Sequence, residues 1–240
     1  MSSNFSFTKE NLDMYLKELA KEYKKRNKNV PAELILVGGA SVLINYGFRE
    51  MTTDIDAIIM AERAMKETIN AVGDKFGLPN GWINTDFTKT NSYSKKLIEH
   101  SVHYRTYSNI VDIRTIKAEY LIAMKLMAGR KYKKDLSDIV GILNEQQKQG
   151  NPITFEMIDK AVIELYSGWD KIEKDNVDFL KSVLEEENLE TLFTEVIQEE
   201  LESKSTILEI NKNYPDLVKP DNINEILEKA RKKKDKNTKQ

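Results

Sequence analysis

The sequence predicts an α/β fold: a mixed, twisted sheet flanked by helices, with a helical C-terminal part. Three observations predict it. An apolar run, 33–37 (ELILV), ends at Gly38-Gly39. A second run, 54–60, alternates, so that Asp54 and Asp56 share one face and Ile55, Ala57 and Ile59 the other. Segments with apolar residues three and four apart surround these runs and dominate beyond residue 150.

In chain order, residues 8–27 read as an amphipathic helix. Thr8 can cap it, and Leu12, Tyr15, Leu16 and Leu19 fall on one face. Pro31 resets the chain before the strand 33–37. Residues 40–47 suit a short helix closed by Gly47, and 54–60 form the next strand. A helix over 62–76 follows. Residues 77–93, with Pro79, Gly81 and several Asn, carry no regular pattern. Two short strands fall within 97–116, the second being NIVDIRTI with Asp112 among apolar neighbours. Residues 117–128 (KAEYLIAMKLMA) are a strong helix, Gly129 breaks it, and 133–147 form another. QKQGNPIT (147–154) reads as a linker. Helical segments follow at 155–167, 170–187 and 189–205. The expected organisation is a first domain over 1–148, a helical domain over 149–228, and a lysine-rich tail over 229–240 without fixed structure.

Composition narrows the function. A chain of 240 residues with 40% hydrophobic and 32% charged residues has enough material for a core beneath a charged surface. The net charge of −2 favours neither nucleic acid nor membrane, so any basic surface must be local. The absence of cysteine excludes disulfides and thiolate metal sites. No apolar run approaches the roughly 20 residues of a membrane helix, and the N-terminus lacks a signal-peptide pattern, so a cytoplasmic protein is expected.

The chemistry concentrates in 37–59. Asp54 and Asp56, one residue apart in a strand, can grip a divalent cation together. A glycine turn at a nearby helix start can cradle phosphate. Unpaired carboxylates beside an apolar strand face are costly unless a cation compensates them. Asp112 is a candidate third carboxylate for a two-metal site; otherwise it faces solvent or pairs with Arg114 on an edge strand. Lys125, in an apolar helix, either snorkels to solvent or reaches a triphosphate as a point charge. Asp135 and Asp138 share a helix face, and Asp135 also suits a helix start electrostatically. His100 and His103 are the chain's two histidines, too few for a histidine-based metal site. There is no G-x-x-x-x-G-K-[ST] loop, G-x-G-x-x-G, H-E-x-x-H or G-x-S-x-G.

A strand ending in Gly-Gly, a short helix, then Asp-x-Asp opening the next strand resembles the nucleotidyltransferase fold related to DNA polymerase beta. LIAMKLMAGR and KDLSDI (134–139), with Arg49 and Thr52 or Thr53 ahead of the carboxylates, are most similar to the minimal bacterial branch containing AbiEii-type toxins. The resemblance spans about residues 30–145. It implies that Gly38, Gly39 and Ser41 contact the triphosphate, that Asp54, Asp56 and Asp112 hold Mg2+ or Mn2+, and that Lys125 and Asp135 occupy the later motifs. It further implies transfer of a nucleoside monophosphate from an NTP to a hydroxyl acceptor. RNA, including tRNA 3′ ends, is the favoured acceptor, with the protein acting as a toxin paired with an antitoxin. The alternatives are a small-molecule acceptor such as an aminoglycoside, and a nucleotide- or partner-binding module without turnover.

Overall fold

The computed structural model describes residues 5–28, 30–60, 62–215, 217–219 and 222–238. Helix α1 (Lys9–Asn27) starts at a capping box in which the Thr8 hydroxyl accepts from the Asn11 amide and the Asn11 side chain accepts from the Thr8 amide. Strand β1 (Ala32–Leu36) runs directly into α2 (Gly38–Asn45). Then come β2 (Ile55–Ile59), α3 (Glu62–Phe76), the two-residue β3 (Ile83–Asn84), β4 (Ser101–Tyr107) and β5 (Val111–Ile116). Helices α4 (Ala118–Ala128), α5 (Asp135–Lys148), α6 (Phe155–Tyr166), α7 (Lys174–Glu185), α8 (Leu189–Asn213) and α9 (Ile223–Thr238) complete the described chain.

The five strands form one mixed sheet in the order β3-β2-β1-β5-β4. Central β1 is antiparallel to β2 and parallel to β5. Alternation divides the sheet into two faces. Leu34, Leu36, Ile55, Ala57 and Ile113 join α1 and α3 in one core cluster. Ile35, Val37, Ile58 and Ile116 join α4, α5 and α6 in the other, which continues to Val196 on α8. One core therefore crosses the QKQGNPIT segment, with α6 packed on α4.

Four local expectations change. Helix α2 begins at the glycine pair itself, because Gly38 takes φ +53° and turns the chain straight out of β1. It ends at Asn45, with Tyr46 as its C-terminal cap, and Gly47 lies outside it. The stretch 77–93 contains β3 and a 3-10 turn, Asp86–Lys89; both are too short to leave a periodic pattern. Helix α8 runs to Asn213 because Ile207 packs with Ile223 and Leu227 of α9. Residues 229–238, expected to lack fixed structure, continue α9, and 239–240 lie outside the described residues. Among the described residues, no helix is long and apolar enough to cross a membrane.

Candidate active site

The site lies where β1 hands over to α2 beside the start of β2. The Val37 amide donates to the Asp56 carbonyl (3.0 Å), which sets the first turn of α2 against the carboxylates. A Cβ added to Gly38 would lie 3.8 Å from Asp56 Oδ2. Gly39 is required by crowding: a Cβ there would meet Arg49 Nη2 at 2.7 Å and Thr52 Oγ1 at 2.8 Å. The leading amides of a helix lack intrahelical acceptors, and among the described residues those of Gly38 and Gly39 donate to no backbone carbonyl outside it, at its positive end next to Asp56.

Asp56 sits half-buried on the face of β2 that α4 and α5 cover, and no donor reaches its carboxylate among the described residues. Burial pushes its pKa up to about 6, neighbouring Asp54 adds repulsion, and Arg130 and Lys133 partly offset both. Asp86 adds a further, smaller repulsion and so also lies nearby. Asp54 is exposed, with the Thr52 hydroxyl 3.4 Å from its Oδ1. A desolvated carboxylate with no donor, beside a second carboxylate, suits a hard divalent cation that takes its remaining ligands from phosphate and water. Among the described residues, no three His, Asp or Glu side chains converge as a metal cluster.

Three expected contributors are placed elsewhere. Asp112 pairs in register with Glu33, four residues before Val37 and two strands from Asp56. At about 3.3 Å per residue and about 4.8 Å per strand, this separates the two carboxylates by roughly 16 Å. Asp112 instead accepts from Thr106 (2.9 Å), with His103 Nδ1 at 2.7 Å and Arg114 Nη1 at 3.8 Å. It is a surface pairing residue of the β4–β5 ladder, so a two-metal site built on Asp54, Asp56 and Asp112 does not form. Ser41 is fully buried, and its hydroxyl accepts from the Ile116 amide (3.2 Å), tying α2 to β5 rather than facing a ligand.

Lys125 is the third. It neither snorkels nor points at a phosphate. Its Nζ lies 2.9 Å from Asp135 Oδ1 and 2.6 Å from Asp138 Oδ2, all three side chains being buried. Burial alone would pull the Lys125 ammonium down; the two carboxylates outweigh it and hold its pKa above normal. Burial likewise opposes the charge on Asp135, but Lys125 and Arg130 keep its pKa well below the usual range. Arg49 Nη1 donates to both oxygens of Asp138, and Arg130 Nε donates to Asp135 Oδ2 (2.7 Å). One chain of charges, Arg49–Asp138–Lys125–Asp135–Arg130, buried as far as Asp135 and partly exposed at Arg130, thus links the side chain crowding Gly39 to the loop between α4 and α5.

That loop (129–134, GRKYKK) supplies the cations that face the carboxylates. Arg130 feels Asp54 as well as Asp135. Lys133 feels Asp54 and Asp56, while burial and then Arg130 lower its pKa. The run of cations just before KDLSDI is visible in the sequence as a charge cluster. What the sequence does not show is its position across from Asp54 and Asp56.

A family model described as a nucleotidyltransferase of unknown function (DUF6036) matches residues 12–164. The chain belongs to this DUF6036 nucleotidyltransferase family. The match spans the sheet, the glycine turn, both carboxylates and the whole charge chain from Arg49 to Arg130, and ends within α6. No curated protein and no solved structure matches the chain. Within this DUF6036 protein, the residues α7–α9 lie beyond the matched segment.

Proposed function

We propose that this protein transfers a nucleoside monophosphate from an NTP to a hydroxyl group of RNA, including tRNA 3′ ends, with a divalent metal. The observation that carries the reading is the glycine turn set against Asp56. It combines leading helix amides for phosphate, a carboxylate pair for a cation in which Asp56 receives no donor among the described residues, and the Arg130/Lys133 rim. Asp54 and Asp56 would hold Mg2+ or Mn2+. When bound, such an ion supplies neutralisation of the triphosphate and polarisation at the transferred phosphorus.

The chain's own residues then have distinct tasks. Gly38 and Gly39 amides bind phosphate oxygens. Arg130 and Lys133 neutralise the departing pyrophosphate. The acceptor oxygen attacks the α-phosphorus in line, forming one P–O bond as the bond to the β-phosphate bridge breaks. Its proton passes to a carboxylate of the Asp54–Asp56 pair. Positioning and electrostatics would supply most of the acceleration.

The finer assignment is to the AbiEii-type branch, acting as a toxin with a cognate antitoxin. The Lys125, Asp135 and Asp138 pattern and Arg49 support it. A second reading is a nucleotide-binding module without turnover. It is favoured by two observations: Asp112 does not join the pair, and no metal cluster of three side chains exists among the described residues.

The test is incubation with labelled NTPs, Mg2+ or Mn2+ and total RNA, beside Asp56→Asn. Label on RNA that disappears in the variant supports the proposal. Label only on an added small alcohol, such as an aminoglycoside, replaces the acceptor. Triphosphate binding with transfer to nothing supports the module.

A further inference from the structure

The basic loop 129–134 has no regular structure of its own beyond turns, yet three helices outside the family-matched segment hold it. From α7, Asn176 Nδ2 donates to the Leu126 carbonyl (3.1 Å) beside Gly129, and Asp175 Oδ2 lies 2.9 Å from Lys131 Nζ. From α9, Glu228 lies 3.5 Å from the same ammonium. Tyr132 packs against the cluster of Ile207, Ile223 and Leu227 that joins α8 to α9.

The contact with the most consequence comes from α8. The buried Glu200 carboxylate accepts from the Leu136 amide (3.0 Å), the Ser137 amide (3.1 Å) and the Ser137 hydroxyl (2.6 Å). It is a helix cap supplied in trans, since Lys134 at the N-terminus of α5 makes no capping hydrogen bond with its side chain. The turn it caps carries Asp135 and Asp138, which hold Lys125, Arg49 and Arg130. Moving that turn would move Arg130 and Lys133 relative to Asp54 and Asp56.

We propose that α7, α8 and α9 form a clamp that fixes the basic loop opposite the carboxylates, with Glu200 as its central positioning residue. Its effect on nucleotide rests on the proposed nucleotidyl transfer; the clamp itself does not. Glu200 touches no reacting group. It acts through the first turn of α5, so its loss should weaken triphosphate binding more than it slows the bound complex. Lys131 and Tyr132 extend the same clamp from the loop side.

The experiment compares full-length wild type, Glu200→Ala, Glu200→Gln and Lys131→Ala in two readouts. The first is hydrogen–deuterium exchange at the amides of 130–134, with those of α4 as the internal reference. The second is the binding of a non-hydrolysable Mg2+-NTP analogue beside kcat and KM. Glu200→Ala should speed loop exchange and raise the analogue Kd and NTP KM about tenfold, with kcat changed less than about threefold. Glu200→Gln, which keeps a carbonyl acceptor, should recover most of the affinity. Lys131→Ala tests the clamp at the surface if Glu200→Ala fails to fold. Unchanged loop exchange in both Glu200→Ala and Lys131→Ala overturns the clamp whatever the nucleotide does. Where wild type binds the analogue, faster exchange in Glu200→Ala with unaltered analogue binding overturns the role of Glu200 in positioning the loop for nucleotide. Faster exchange in a protein whose wild type binds no triphosphate keeps the structural clamp and overturns the transferase reading.

Discussion

Replacing Asp56 by Asn should make the metal-free protein more stable while abolishing its activity. The Asp56 carboxylate is half-buried, faces Asp54 and receives no donor among the described residues. Its pKa stands at about 6 rather than the usual 3.8. At about 1.4 kcal/mol per tenfold, that difference corresponds to an upper bound of about 3 kcal/mol for holding the charge in place. Partial exposure reduces this to about 1–2 kcal/mol at neutral pH. The folded pKa lies above the unfolded one. The stability associated with the proton is therefore complete below about pH 3.8 and is lost as pH rises through about 6. Asn lacks this dependence. In EDTA, urea unfolding should show wild type and Asp56→Asn converging near pH 4. The variant should pull ahead between pH 4 and 6 and hold a constant lead above. For a chain of this length, that lead would appear as a rise of about 2–4 °C in Tm per kcal/mol. Adding Mg2+ or Mn2+ should then stabilise wild type and leave the variant unmoved. An Asp56→Asn protein less stable than wild type at pH 7.5, or a stability difference that ignores pH, would refute the placement of a half-buried carboxylate without a hydrogen-bond donor.

Lys125→Met strands Asp135 and Asp138 in a buried setting and should cost about 3–5 kcal/mol in denaturant unfolding, because one partner of a buried ion pair is removed. Asp112→Asn removes only exposed or half-exposed pairings and should change stability by less than about 1 kcal/mol, with transfer rates within about twofold of wild type. A loss of activity comparable to that of Asp56→Asn would return Asp112 to the site. Gly39→Ala drives a methyl into Arg49 and Thr52, so it should cost about 1–3 kcal/mol in unfolding and impair triphosphate binding.

Much of the fold was legible because short-range rules control it. Thr8 announced α1, and the alternation at 54–60 put Asp54 and Asp56 on one face. The 33–37 run ending in glycines marked the strand-to-helix turn, although the helix starts at Gly38 rather than after the pair. The site was less legible wherever distance in the sequence decides the outcome. Asp112 lies in a strand beside β1, as its apolar neighbours suggest, but only the parallel register with Glu33 shows that it sits near the far end of the sheet. Ser41 follows the glycine turn closely enough to look like a phosphate ligand, yet its rotation on α2 points it at the Ile116 amide. Lys125 sits in an apolar helix because α5 brings two carboxylates to it, a packing fact that no local pattern contains. Arg130 and Lys133 were visible as charges and invisible as partners of Asp54 and Asp56. Glu200, 63 residues from the amide it caps at Ser137, had no local signature at all.

The most direct test of the central claim is the fate of label from two positions of one NTP. Wild-type protein with Mg2+ or Mn2+ and RNA is given either α-labelled or γ-labelled triphosphate. α-Label should become bound to RNA while γ-label leaves as pyrophosphate, in equal amounts, and both events should vanish in Asp56→Asn. Retention of γ-label on the acceptor, release of inorganic phosphate instead of pyrophosphate, or transfer that survives Asp56→Asn would contradict the claim.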